Sequence, residues 1–462
     1  MSVLGALFDD KVYSFEQAFG AKDVTSREMR DAIRTWFSLY FGSDTPKGED
    51  DCQRLPVVIV NKLTKTVFSE YSAHVAGDGA KAVFMQGVLD ALDGVKESAM
   101  QQAMIGGQCF LKPVPAGKGF DIRVVRRDCM IPLAKDARGR VTSLGTAEQS
   151  EAGGKYYTLL ERRTVGQDGR LTIESRLYQS DTRASLGTQV PLASLDKYAE
   201  IAPDVTLPEP LYNLGMAELI TPLYNCVDGS SDGVSVYAPA VGLIRNINRN
   251  ERQLCDEFEN GASRIIASSD MVTTDSHGRK NIPDNLFVAV DDDPGNVGVT
   301  IFSPQLREAS YLARKNEYLR NIESLIGLKR GILSEVEAAE RTATEITSSE
   351  GDYNLTIIDF QRAFESAARE LLATCDILGR MYRLCGTQAF DAYADAVFDW
   401  GDGVLYDRDK AWQEQLQMVQ AGLLRPELAL AWYYELPHDT PEELAAIREK
   451  YMPELDALTG GA

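Results

Sequence analysis

The sequence predicts an α+β protein, and three patterns carry that prediction. Two amphipathic helix patterns, Gly233 to Ser263 and Ser303 to Ile326, flank a turn-rich strand segment, Arg264 to Phe302. Ahead of them, a group of helices gives way at Gly106-Gly107 to a run of strands separated by turn residues. After them comes a helical pattern of unusual length, Arg341 to Leu384, and then a mostly helical C-terminal region. Helical and strand periods therefore sit in separate blocks, as in α+β chains.

Taken in order, Thr25-Ser26-Arg27-Glu28 fits a capping box that opens a helix through Tyr40. Leu55 to about Val75 and Ala82 to about Met104 read as two further helices. Strands follow at Gln108 to Val114, Phe120 to Val125, Val141 to Ala147, Tyr156 to Arg163 and Leu171 to Tyr178. Their turns carry Gly117-Lys118-Gly119, Asp136-Ala137-Arg138-Gly139 and Gln167-Asp168-Gly169, the residue types that reverse a chain. A long polar, proline-containing stretch, Ser180 to Pro222, leads to the first central helix.

That helix places Tyr237, Val241, Ile244, Ile247, Leu254 and Phe258 at spacings that favour one buried side. The segment after it reads as a small β-meander, with Ile265-Ile266, Leu286 to Val290 and Val299 to Phe302 as its strands. The second helix is expected to open at Ser303-Pro304 and to stop at Gly327. Its seam is double: Tyr311, Tyr318 and Leu325 repeat every seven residues, as do Leu312, Leu319 and Ile326, with Ile322 between. So wide an apolar face suits a helix packed between two neighbours. The helix from Arg341 to Leu384 is expected to kink near Gly351-Asp352. A short strand, Ala396 to Trp400, and a turn at Gly401-Asp402-Gly403 precede helices at Arg408 to Ala421, Pro426 to Tyr434 and Pro441 to Met452. The last carries a capping box, Thr440 to Glu443, with proline at its first position.

Length and charge bound the function. A chain of 462 residues predicts roughly three domains at about 150 residues each. A formal charge of −21 argues against gripping nucleic acid by neutralising phosphates, though not against a surface past which DNA slides. No apolar run approaches a membrane span, and the first residues do not resemble an export signal. Seven scattered cysteines without a Cys-x-x-Cys pair fit a reducing compartment, with burial expected for most of them, and the three histidines sit near no cysteine pair. No metal or cofactor site is expected.

Motifs for chemistry mostly fail. Gly229-Ser230-Ser231-Asp232-Gly233 matches Gly-x-Ser-x-Gly, which keeps open a serine hydrolase with His277 or His438 downstream. No strand leads into it, and Ser231 or Asp232 reads more naturally as the cap of the helix from Gly233. There is no phosphate-binding Gly-x-x-x-x-Gly-Lys-[Ser/Thr] loop. Asp291-Asp292-Asp293 reads as a solvated turn. Lys329-Arg330, between Gly327 and Gly331, is a conspicuous basic step in an acidic chain.

Several segments resemble the portal proteins of tailed bacteriophages, in the branch common among long-tailed phages of Gram-positive hosts. They are Leu55 to Lys62 with Val67-Phe68, Gly106-Gly107 with Phe110 to Pro113, and Gly154 to Glu161 with Arg176 to Tyr178. Leu186-Gly187 with Val190 to Leu192, Gly233 to Tyr237, Arg341-Thr342-Ala343-Thr344-Glu345-Ile346 and Met418 to Leu423 continue the series in the same order. The polar run Asn246-Ile247-Asn248-Arg249-Asn250 departs from the pattern inside the first central helix.

The resemblance implies a portal-like fold: a wing over 1–232, stem helices over 233–263 and 303–326 and a β clip over 264–302. A tunnel loop over 327–340, a long helix over 341–384 and a helical crown over 385–462 complete it. It further implies a dodecameric ring at one capsid vertex, through which double-stranded DNA is packaged and ejected. The implied partners are further copies of the chain, a packaging terminase, a head-completion adaptor, and major capsid and scaffolding proteins, in the virion and, during assembly, in the host cytoplasm. Tyr311, Leu312, Tyr318, Leu319, Leu325 and Ile326 would lie between subunits, Asp275, His277, Arg279 and Lys280 would face docking partners, and Lys329 and Arg330 would face DNA. A capsid-associated structural adaptor is the alternative.

Overall fold

A computed structural model describes residues 15–43, 53–183, 185–261, 264–267, 286–288, 300–302, 305–335, 343–388, 390–401, 408–434, 436–438 and 440–452. The chain is α+β, as the sequence predicts. It divides into two units rather than three, the larger spanning Met1–Val67 and Ala73–Phe398, the smaller Phe68–Ser72 and Asp399–Ala462.

The larger unit begins with α1 (Phe15–Phe19), α2 (Arg27–Phe41) and α3 (Leu55–Val67). In α2, Met29, Ile33, Trp36 and Phe37 recur at helical spacing and are fully buried. Its cap is Ser26, whose hydroxyl accepts from the Met29 amide, so the expected capping box is a simple N-cap set one residue later. The helix expected from Leu55 to Val75 stops at Val67, and Ser72–Val75 forms strand β1. The next expected helix is two, α4 (Ala80–Asp93) and α5 (Lys96–Gly106), because Gly94 ends the first.

Ten strands are described before the central helices. β2 (Gln108–Ala116), β3 (Gly119–Val125) and β10 (Ala217–Ile220) form an antiparallel sheet in the order β10-β2-β3. β4 (Met130–Lys135), β5 (Val141–Ala152), β6 (Lys155–Val165), β7 (Arg170–Ser180) and β8 (Thr188–Val190) pair in sequence, and β9 (Asp204–Pro210) pairs the other end of β7. Pairing runs as direct neighbours through β5, β6 and β7, with Glu161 opposite Ser175. Five strands are absent from the sequence reading: β1, in a stretch expected to be helix, and β4 and β8 to β10, which are short or interrupted by proline and bulges, as at Pro132 in β4.

Central helix α6 (Val241–Asn260) begins eight residues after Gly233, the intervening chain being turn and a short 3-10 stretch, Ala238–Ala240. Strands β11 (Arg264–Ala267), β12 (Leu286–Val288) and β13 (Thr300–Phe302) form a sheet in the order β12-β11-β13. β11 and β12 run parallel, so the expected meander is corrected: parallel neighbours cannot be joined by a hairpin and require a crossover. Helix α7 (Glu308–Ile326) starts later than expected and stops at Gly327, whose φ of 76° puts it in the left-handed region a helix end demands. Ser303 and Pro304 lie outside the described residues.

Helix α8 (Ala343–Met381) continues through Gly351 and Asp352. Ile357, Phe360, Phe364, Leu371 and Cys375 form its buried stripe, and it packs on β10, α4 and α3. β14 (Ala396–Asp399) pairs β1. The smaller unit holds α9 (Arg408–Gln420), α10 (Pro426–Tyr434) and α11 (Pro441–Tyr451), within about one residue of their expected bounds. α11 carries the complete capping box, Thr440 with Glu443 and Pro441 at its start. Trp412 stacks on Trp432 at 6.5 Å between ring centres.

Candidate functional site

The Gly-x-Ser-x-Gly segment proves to be a charge-burying turn. Asn225 donates to the Asp228 carboxylate and to the Asp232 carbonyl at 2.9 and 3.1 Å, and Ser231 donates to the Gly139 carbonyl at 2.8 Å. Asp232 is no helix cap: its carboxylate is buried, 2.9 Å from the Lys135 ammonium and 3.6 Å from the fully buried Arg127 guanidinium. Gly233 is needed for close approach, since a Cβ there would stand 2.1 Å from the Gly107 carbonyl oxygen, and one on Gly107 would meet Gly233 as closely. The Ser230 hydroxyl accepts from Asn225 at 3.1 Å, so both serine hydroxyls are engaged in shaping the turn.

Helices α6 and α7 pack side by side, with Ile244, Ile247, Ile322 and Ile326 buried. The polar run that departed from the family pattern supplies their clamp. Asn250, 1% exposed, donates to the Tyr311 carbonyl at 3.1 Å and accepts from Arg314 at 2.6 Å. Arg314 also donates to Gln253 at 2.6 Å, Lys315 pairs with Glu251 at 2.9 Å, and Arg307 grips Glu257 through two bonds of 3.0 and 2.6 Å. Asn250 occupies the slot between Ile247 and Leu254 in the apolar stripe, a signal the sequence offered. Phe258, expected on the buried side, is 47% exposed instead.

The double seam of α7 separates into a centre and two flanks. Ile322 and Ile326 are buried, Tyr311, Tyr318 and Leu319 are half-buried, and Leu312 and Leu325 are 53% and 51% exposed. At 3.6 residues per turn Leu312 and Leu325 stand about 140° apart around the helix, on either side of the buried centre. Tyr311 is covered by Arg307 and Arg314, which lie over its ring.

Beyond Gly327 the chain folds onto Glu323. This carboxylate is fully buried and accepts from the amides of Gly331, Leu333 and Ser334 at 3.1, 2.6 and 2.9 Å, and from the Ser334 hydroxyl at 2.7 Å. Sequence reasoning missed Glu323, although an acid in a last helical turn, where the helix dipole disfavours it, is an anomaly that asks for a reason. Within the loop so held, Lys329 is half-buried and Arg330 exposed, and Gly331 adopts φ of 93°. Asp275, His277, Arg279 and Lys280, like Asp291 to Asp293, lie outside the described residues.

A pair of half-buried acids joins β10 to α8. The Glu218 amide approaches the Glu370 carboxylate at 3.4 Å, and Asn213 holds the other Glu370 oxygen at 3.1 Å. Burial first, and the Glu370 carboxylate second, push the Glu218 carboxyl up to about 7. A carboxyl raised in the fold favours its protonated form, so its stabilising effect is full below the ordinary value near 4.3 and is lost as pH rises through about 7. Glu218→Gln is expected to flatten that part of the pH profile and to raise the unfolding temperature at pH 8. Urea titrations of both proteins from pH 5 to 8 check it, an unchanged slope contradicting the assignment.

Burial accounts for Cys109 and Cys375, whereas Cys226 and Cys255 are exposed. No helix among the described residues is long and apolar enough to cross a membrane.

The central part of the chain is thus a helix pair around a small β insertion, followed by an anchored loop and a long helix. The chain belongs to the phage portal proteins, for the family model described as phage portal protein, SPP1 Gp6-like, matches residues 57–451. That family is structural, not enzymatic. No curated protein matches the chain.

Proposed function

We propose that this chain is the repeating subunit of a closed ring, twelve-fold as the resemblance implies, that admits and releases DNA at one capsid vertex. The observation that supports this reading is α7. Its centre is used up within the subunit, while Leu312 and Leu325 remain exposed on opposite flanks. A subunit that meets a different neighbour on each side makes heterologous contacts, which close into rings when the rotation permits. In this reading residues 1–232 form the wing, α6 and α7 the stem, 264–302 the clip, 327–340 the tunnel loop, 341–384 the long helix and 385–462 the crown. The clip, with Asp275, His277, Arg279 and Lys280, would receive the terminase during packaging and the adaptor afterwards. Capsid and scaffolding proteins would surround the ring.

Leu312→Asp combined with Leu325→Asp tests the ring. Each change places an uncompensated charge in an intersubunit contact but only on the surface of a free subunit. Native mass spectrometry is expected to show single subunits with unchanged circular dichroism. Intact rings would overturn the proposed contact.

A net charge of −21 per subunit makes a conduit that mostly repels the DNA backbone, which suits passage better than holding. Against that background Lys329 and Arg330, on a loop fixed by Glu323, would touch phosphates briefly, each contact screened over about 8 Å. Lys329→Glu with Arg330→Glu is expected to preserve the ring and to slow packaging or reduce DNA retention in complemented phage. Unchanged packaging rate, DNA length and retention would remove these residues from the channel.

A further inference from the structure

The larger unit contains a cavity of about 500 Å³, within the roughly 300–1,000 Å³ of pockets that hold small organic ligands. It lies between β2 and β3 on one side and β6 and β7 on the other. The alternation of a strand puts Leu159, Glu161 and Arg163 of β6 on one face, and Leu171, Ile173 and Ser175 of β7 beside them, all against the cavity. Val114 and Phe120 extend the apolar wall, and Leu378 and Tyr382 reach it from the end of α8 and the turn after it.

Four cations and two carboxylates line this space: Lys112, Arg123, Arg163 and Lys197 with Glu148 and Glu161. Each carboxylate is shared by two cations. Glu161 accepts from Lys112 at 2.9 Å and from Arg163 at 2.6 Å, and Glu148 accepts from Arg123 at 2.9 Å and from Lys197. The walls therefore carry two positive charges beyond what their own acids neutralise, inside a chain of net charge −21. Glu161 supplies the hydrogen bond described for the Lys112 ammonium, which has three N–H donors. Burial, and then the nearby Arg163, push Lys112 below its ordinary range. The Ser175 hydroxyl, 1% exposed and opposite Glu161 in the register, has no hydrogen-bond partner. A polar group so buried costs free energy until something bonds it.

From this cavity, its surplus of cations and its orphaned hydroxyl, we propose that the unit binds a small amphipathic carboxylate, head toward Lys112 and Ser175, apolar body along Val114, Phe120, Leu171 and Ile173. The carboxylate would accept from the Lys112 ammonium and the Ser175 hydroxyl, and the apolar walls would exclude water from its chain. All the lining residues belong to one chain, so the binding requires no second subunit.

Isothermal titration of the full chain with decanoate tests it, with decan-1-ol and acetate as probes lacking the charge and the apolar body. Decanoate is expected to bind saturably, one per chain, at least tenfold tighter than decan-1-ol, with acetate showing no saturation. Lys112→Met is expected to weaken decanoate at least tenfold and erase its advantage over the alcohol. Val114→Trp, which fills the space and leaves the charges, is expected to block both. Circular dichroism confirms that each variant is folded, and Arg176→Gln serves as a second charge change outside the cavity. Absence of saturable decanoate binding would overturn the proposal, as would equal affinity for decanoate and decan-1-ol or equal loss in Arg176→Gln and Lys112→Met.

Discussion

Asp232→Ala is expected to lower the stability of the larger unit by about 3–5 kcal/mol, the cost of leaving a buried cation without its counter-charge. Arg127 is 0% exposed, and two of its nitrogens, Nε and Nη2, already lack hydrogen-bond partners, so its charge depends on the Asp232 carboxylate. Lys135 loses the same partner. Urea unfolding measures the loss. Arg127→Met added to Asp232→Ala should recover part of it, because the pair then disappears together. A loss below about 1 kcal/mol, the range of exposed ion pairs, would show that water reaches this site.

Glu323→Ala is the second large effect. Three amides and a hydroxyl converge on that carboxylate, and hydrogen bonds to a charged group are worth about 1.5–3 kcal/mol each before their non-additivity is counted. Removing it is expected to cost about 3–5 kcal/mol and to release residues 328–335 from α7. Hydrogen exchange reads the release directly, because the amides of Gly331, Leu333 and Ser334 should lose protection while those of α6 keep theirs. Uniform loss along both helices would mean that Glu323 supports the helix pair as a whole.

What could be read from the sequence was what repeats. Helix α11 is legible within about one residue because Thr440, Pro441 and Glu443 mark its start by local chemistry alone, and β5, β6 and β7 are legible as strands, though up to five residues longer than expected, because turn residues bound alternating runs. Of the double seam of α7, the sequence shows the pattern, while the structure buries only its centre, Ile322 and Ile326, and leaves Leu312 and Leu325 exposed. What escaped were features made by distant partners. Nothing near Glu323 announces the loop amides it binds, Asp232 reads as a cap until Arg127 and Lys135 arrive from another strand region, and parallel pairing of β11 with β12 leaves no periodic trace. Asn250 lay in plain view but read as a departure, since only Arg314 and Tyr311 on the facing helix explain it.

The clamp around Asn250 makes α7 a strut. Its 19 residues extend about 28 Å as a rod. Arg307 is bonded to Glu257 at one end, Arg314 and Lys315 are tied to Asn250 and Glu251 further along, and Glu323 is locked to the following loop at the other. Sliding α7 along α6 by one turn would break the Arg307, Arg314 and Lys315 links at once while the loop held by Glu323 travelled with the helix, so small slips are energetically steep. A displacement applied beside the β11–β13 sheet would therefore arrive at Lys329 and Arg330 nearly undiminished. In the proposed ring, stiffness of this kind would carry a contact at one end of a subunit to the loop at the other.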